Sequence, residues 1–143
     1  MDMDGLPKTP SSGHEAKRIK KKILVVDDDK DCREILKDIL EDEDLGYEVF
    51  MAKNGEEARN IVRQENPDAI TMDGNLVGET GFQIADSLRE MGSIAPIVMS
   101  SSDDLAYEGK KGVRKPATKK AFEDYFNELF PKEKKPQSTP GQK

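Results

Sequence analysis

The chain has 143 residues, with 23 Lys+Arg against 29 Asp+Glu and a net charge of −6, a length that suits one domain with its own core. The charge runs +1 over residues 1–20, −10 over 21–130 and +3 over 131–143, and so acidic a middle excludes a nucleic-acid-binding surface there. One cysteine (Cys32) and one histidine (His14) exclude a disulfide framework and a His/Cys zinc site, while the longest aliphatic run, Ile23–Val26, cannot span a membrane.

The first 20 residues mix Pro, Ser, Gly and charge without period and read as a disordered tail; Asp2 and Asp4 do not fit a secretory signal. The basic run Lys17–Lys22 reads as a solvated lead-in to the first strand. Ile23–Val26 is a strand of the kind buried on both faces of a parallel sheet. Cys32, Ile35, Leu36, Ile39 and Leu40 then follow helical spacing, with Asp29 and Asp31 at the helix start and Gly46 as its stop. On that stripe Cys32 reads as core and not as a redox group. Tyr47–Met51 predicts a second strand. Asn54 with Glu57 predicts the cap of a helix carrying Ala58, Ile61 and Val62, stopped by Asn66-Pro67.

Ala69–Met72 predicts the third strand, and Thr80 with Gln83 caps a helix carrying Ile84, Ala85, Leu88 and Met91. Pro96 leads into strand Ile97–Ser100, a short last strand surrounds Val113-Arg114, and Phe122, Tyr125, Phe126, Leu129 and Phe130 mark a final helix. Residues 131–143 hold no strongly apolar side chain and read as a disordered basic tail, which leaves 21–130 as the folded unit. Strands alternating with helices predict an α/β, doubly wound parallel five-stranded sheet.

In such a sheet the working crevice lies at the carboxyl ends of the strands. Those ends carry Asp27-Asp28-Asp29, Asp73, Ser100-Ser101-Ser102 and Lys115-Pro116. Carboxylates, a hydroxyl and an ammonium converging on one rim suit phosphoryl transfer to a carboxylate. Asp73 is ionised at neutral pH and can serve as the oxygen nucleophile. Its acidic neighbours call for a hard divalent cation, most naturally Mg²⁺, and Ser101 and Lys115 can each meet a phosphoryl oxygen.

The stretches ILVVDDD (23–29), PDAITMDGN (67–75), PIVMSSS (96–102) and VRKPA (113–117), in that order, resemble the receiver domain of two-component response regulators over about residues 22–130. The resemblance implies a flavodoxin-like strand order 2-1-3-4-5. It implies Asp73 as phosphoacceptor, with Ser101 and Lys115 as its catalytic partners. It further implies a Mg²⁺ site formed by Asp28 directly, Asp27 mainly through water, Asp73, and the backbone carbonyl of Asn75. The implied donor is a phosphohistidine on a histidine kinase or histidine phosphotransfer protein, with self-catalysed hydrolysis and no other enzymatic activity. A cis Lys115–Pro116 bond is frequent in the family. The implied role is that of a cytoplasmic single-domain response regulator, acting through protein contacts or onward phosphotransfer to an unknown downstream protein.

The chain departs from the family pattern where receivers read out their state. Residues 102–111 are too few for a full crossover helix, so the fourth helix is expected to be one turn or absent, replaced by a loop. Gly112 stands at the position of the family's switch aromatic; Tyr107 has the wrong spacing and reads as a partly exposed loop residue. Val77 stands where the family usually has proline. The competing reading is a degenerate receiver acting as a phosphorylation-independent interaction module; five converging polar groups argue against it. A dehalogenase-like phosphatase would want Asp where Asn75 stands, and an EF-hand starting at Asp27 would put Cys32 in the glycine position.

Overall fold

The computed structural model describes residues 20–115 and 118–131. The expected tails over 1–19 and 132–143 lie outside the described residues, as does Pro116 with its expected cis bond. In chain order the elements are β1 (Lys22–Val26), α1 (Lys30–Glu41), β2 (Glu48–Ala52), α2 (Gly55–Glu65), β3 (Ala69–Asp73), α3 (Gly81–Glu90), β4 (Ile97–Ser101), β5 (Ala106–Tyr107), β6 (Lys110–Lys111), β7 (Val113–Arg114) and α4 (Lys119–Leu129).

The main sheet is parallel, with order β2-β1-β3-β4-β7, so β7 occupies the fifth position of the expected arrangement. The central strands are buried and mostly apolar because helices cover both faces, with polar residues gathering at their carboxyl ends. On one face Leu24, Val26, Ile70, Met72, Ile97 and Met99 pack with Ala58, Val62, Ile84, Ala85 and Leu88 of α2 and α3. On the other, Ile23, Val25 and Val98 pack with Leu36 and Leu40 of α1 and Phe122 and Phe126 of α4. The α4 aromatics are core, as their spacing predicts: Tyr47 meets Phe126 edge-on at 5.4 Å.

The expected caps form. Asp29 accepts from the Asp31 amide, Asn54 from the Glu57 amide, and Thr80 and Gln83 make a reciprocal box at the start of α3. Asn66 ends α2 in the left-handed conformation at φ 48°. The α1 stripe is narrower than its spacing predicts. Ile35 is 51% exposed, and Cys32 is half-buried, its Sγ 3.6 Å from Asp29 Oδ2. The helix also stops at Glu41, before Gly46, because Asp42 leaves the helical conformation at ψ 146°; its carbonyl then accepts from Leu45 and Gly46 in a separate tight turn. Lys119 then neutralises Asp42 and Asp44, which otherwise oppose the negative end of α1.

The connection from β4 to β7 contains no helix. In place of the expected loop stands a two-stranded antiparallel hairpin, pairing Ala106 with Lys111 and Tyr107 with Lys110. Glu108 and Gly109 turn it, both at positive φ (53° and 80°), the geometry that matches strand twist in two-residue hairpins. Tyr107 is partly exposed, as expected, but lies on a hairpin strand and not in a loop. Its hydroxyl donates to Asp86 at 2.8 Å, and its ring lies against Phe82 and under the Arg89 guanidinium. Arg89 also grips Glu108 through two bonds of 2.8 and 2.7 Å, so the hairpin is pinned along α3.

Candidate functional site

Register places the candidate groups at one end of the sheet. Val26 pairs with Met72, Asp73 with Ser100, and Ser101 with Arg114, so Asp27, Asp73, Ser101 and Lys115 leave neighbouring strands at the same level. The Asp27 amide donates to Ala52 O at 3.0 Å and the Lys115 amide to Ser101 O at 2.8 Å, which extends the ladder to the two residues themselves.

The carboxylates of Asp27, Asp28 and Asp73 each present an oxygen within 4.8 Å of the others. Asp27 is almost wholly buried; one oxygen accepts from the Asp29 amide at 2.9 Å and the other from Lys115 Nζ at 2.8 Å. Lys115 Nζ also lies 3.4 Å from Asp73 Oδ1. Arg33 donates to the Asp27 carbonyl at 2.8 Å and so ties α1 to the strand end. Asp28 is exposed at the mouth. Burial, followed by the Asp27 charge, raises the proton affinity of Asp73 above the ordinary carboxylate value, although Lys115 and the Gly74 amide act the other way. Burial alone would lower the Lys115 value; its bond to Asp27 and the charges of Asp27 and Asp73 outweigh that and raise it. The pocket is a set of negative groups bridged by one ammonium.

Ser101 is buried, and its Oγ accepts from the Asp103 amide at 3.2 Å. A Cβ built on Gly74 would stand 3.3 Å from that hydroxyl and 2.7 Å from Leu105 Cδ1, so glycine lets Ser101 and Leu105 crowd the chain just after Asp73. Asn75 is exposed and bridges to Thr80 across a short loop, which the bonds Leu76 N to Glu79 O (3.0 Å) and Gly81 N to Gly74 O (2.9 Å) close. All six predicted positions therefore stand at one rim, with Asp27, Asp73 and Lys115 in direct contact and Asn75 on the loop above them.

Sequence reasoning missed Arg33, Leu105 and the Arg59–Glu79 pair described below. Their roles depend on contacts between elements, for which the local sequence carries no signal. Asp29 and Asp31 serve the helix cap, as expected. Burial pushes the Cys32 thiol up, away from the thiolate form.

Three all-oxygen carboxylate donors at this spacing fit a hard divalent cation and not a soft one. Among the described residues this is the cluster of acidic side chains placed to hold a metal, and no helix there is long and apolar enough to cross a membrane.

A family model described as the response regulator receiver domain matches residues 23–122. The alkaline phosphatase synthesis transcriptional regulatory protein PhoP of Bacillus subtilis is 34% identical over 110 residues, covering 77% of this chain and 43% of that protein. The chain spans between 34% and 43% of the length of the curated relatives it matches. Among solved structures, chemotaxis protein CheY4 of Vibrio cholerae superposes with a TM-score of 0.69 at 26% identity, covering 78% of this chain and all of that one. The response regulator TrrA of Thermotoga maritima, solved in complex with Mg(2+)-BeF, superposes with a TM-score of 0.65 at 29% identity, covering 77% of this chain and 99% of that one.

Proposed function

Since the chain belongs to the response regulator receiver domain family, we propose that residues 21–130 accept a phosphoryl group on Asp73 from a phosphohistidine partner in a Mg²⁺-dependent reaction. The observation that carries this reading is the contact set of Asp27, Asp73 and Lys115 beside Asp28 at the carboxyl ends of β1, β3 and β7. A carboxylate oxygen of Asp73 attacks phosphorus, the bond from phosphorus to the donor imidazole nitrogen breaks, and the imidazole leaves with that electron pair. Hydrolysis later returns the carboxylate and inorganic phosphate.

Asp27, Asp28, Asp73 and the Asn75 carbonyl would hold the Mg²⁺, which supplies charge neutralisation for the phosphoryl oxygens. Lys115 is already beside Asp73 and can turn its ammonium from Asp27 to a phosphoryl oxygen. Ser101 can give up the Asp103 amide and donate its hydroxyl instead. The likeness to TrrA, solved in complex with Mg(2+)-BeF, supports a Mg²⁺ site in this fold. The PhoP relative is a transcriptional regulator. For this chain we propose signalling through protein contacts or onward phosphotransfer, from a cytoplasmic location.

Incubation with Mg²⁺ and acetyl phosphate or beryllofluoride, read by mass and NMR, tests the proposal. The expected result is one adduct, abolished by Asp73→Asn and by removal of Mg²⁺. An adduct that survives Asp73→Asn refutes Asp73 as the acceptor, and no adduct in the wild type refutes the proposal in favour of the degenerate-receiver reading.

A further inference from the structure

The loop that follows the candidate acceptor, residues 74–80, is short and exposed, yet it must present the Asn75 carbonyl and hold Asp73 in place. Its own bonds are few: Leu76 to Glu79, Gly81 to Gly74, and the Asn75–Thr80 bridge. Gly78 turns the tip at φ 86°, a left-handed conformation that glycine takes without steric cost. Leu76 anchors one limb in the core at 8% exposure. The other limb is held from outside.

Glu79 reaches across to α2, where Arg59 grips both of its oxygens: Nη1 donates to Oε2 at 3.2 Å and Nη2 to Oε1 at 3.3 Å. The same Nη1 donates to Ser87 Oγ on α3 at 3.1 Å. One guanidinium thus ties α2, α3 and the loop together. Glu79 also lies over the start of α2, where the helix dipole favours a carboxylate. A Cβ built on Gly55 would run into Glu79 Oε1 and stand 3.0 Å from Arg59 Nη1, so glycine at the first position of α2 is what leaves room for the fork.

A half-buried ion pair still in contact with water contributes only modestly to global stability. A planar fork does fix direction, however, and Glu79 is bonded through its own carbonyl to Leu76, one residue from Asn75. We propose that Arg59 and Glu79 are positioning residues for the candidate acceptor, holding the 74–80 loop so that Asp73 and the Asn75 carbonyl stand ready for a divalent cation. This rests on the receiver reading above. It adds two residues outside the pocket that set cation affinity without touching the cation.

Titration with MgCl₂, followed through the amide signals of Asp73, Gly74 and Asn75, tests it on the full chain. Arg59→Gln and Glu79→Gln should each weaken Mg²⁺ binding about tenfold, the lower end for groups that orient ligands. Gly55→Ala should do the same by displacing the Glu79 carboxylate, with α2 helicity by circular dichroism kept or increased, since alanine favours a helix. Melting of the Mg²⁺-free variants checks that they are folded. The exchanged pair Arg59→Glu with Glu79→Arg should recover affinity relative to Arg59→Glu alone. Affinity unchanged in the single variants, or no recovery in the exchanged pair, overturns the proposal. A wild type that binds no Mg²⁺ overturns the acceptor reading beneath it, whereas wild-type binding with unaffected variants overturns this proposal alone.

Discussion

Replacing Lys115 with methionine keeps most of its length and removes its charge, which isolates the electrostatics of the pocket. The ammonium lies 2.8 Å from Asp27 and 3.4 Å from Asp73. With an effective dielectric of about 20, these attractions are about 6 and 5 kcal/mol. Repulsion between two carboxylates with oxygens within 4.8 Å of each other is at least about 3.5 kcal/mol on the same scale. Desolvation of the ammonium offsets part of the attraction in the wild type. Removing one partner of a buried pair typically costs about 3–5 kcal/mol, and the lower figure applies because Lys115 keeps some contact with water. For a domain of this size about 3 kcal/mol lowers Tm by roughly 10 °C.

The loss should depend on pH in a defined way. It is largest where Asp73 is ionised in both states, and shrinks as pH falls and protonation of Asp73 removes the repulsion. Mg²⁺ should restore more stability to Lys115→Met than it adds to the wild type, because the cation takes over the neutralising role. Thermal melts at several pH values, with and without MgCl₂, measure both effects. A loss that is the same at pH 4 and pH 7, or that Mg²⁺ leaves untouched, would show that Lys115 serves packing and not charge.

Asp73→Asn should act in the opposite sense. The folded state raises the proton affinity of Asp73, so folding binds more protons and stability falls as pH rises from about 3.8 through the folded value. Asp73→Asn should therefore be more stable than the wild type at neutral pH without divalent cations, with the difference gone below pH 3.8; an equal difference at both ends contradicts the charge argument. Burial and the bond to Asp86 push the Tyr107 phenol up to about 12, and burial also raises Tyr47 and Tyr125, so absorbance titration should show late tyrosine steps of which Tyr107→Phe removes the one near 12. Wild-type stability should fall between pH 10 and 12 as that proton is lost, and faster hairpin amide exchange in Tyr107→Phe would report the loosened contact with α3.

The legible part of this molecule is the part written locally. Runs such as Ile23–Val26 and caps such as Thr80 with Gln83 depend on neighbours a few residues away, and both are found as expected. The acidic, hydroxyl and lysine positions were legible because strand ends in a doubly wound sheet converge whatever lies between them. The β4–β7 connection was legible only as a shortage of residues. That the shortage resolves into a hairpin depends on Glu108 accepting a positive φ, and on Arg89 and Asp86 nineteen and twenty-one residues away. Ile35 failed the helical stripe for a related reason. The stripe marks the face that turns inward, not how far the neighbouring helix extends to cover it.

The brevity of β7 has a bearing on how the chain behaves in a crowd of its own copies. A parallel sheet must end somewhere, and a long bare outer strand offers its amides and carbonyls to any other chain. Here the outer strand offers two residues, Val113 and Arg114, and the chain leading to it carries the exposed Lys110 and Lys111. Two lysines and an arginine on so short a stretch repel an identical edge before a ladder can form. The segment that replaced a helix thus also guards the sheet against edge-to-edge aggregation, which a longer and more regular fifth strand would invite.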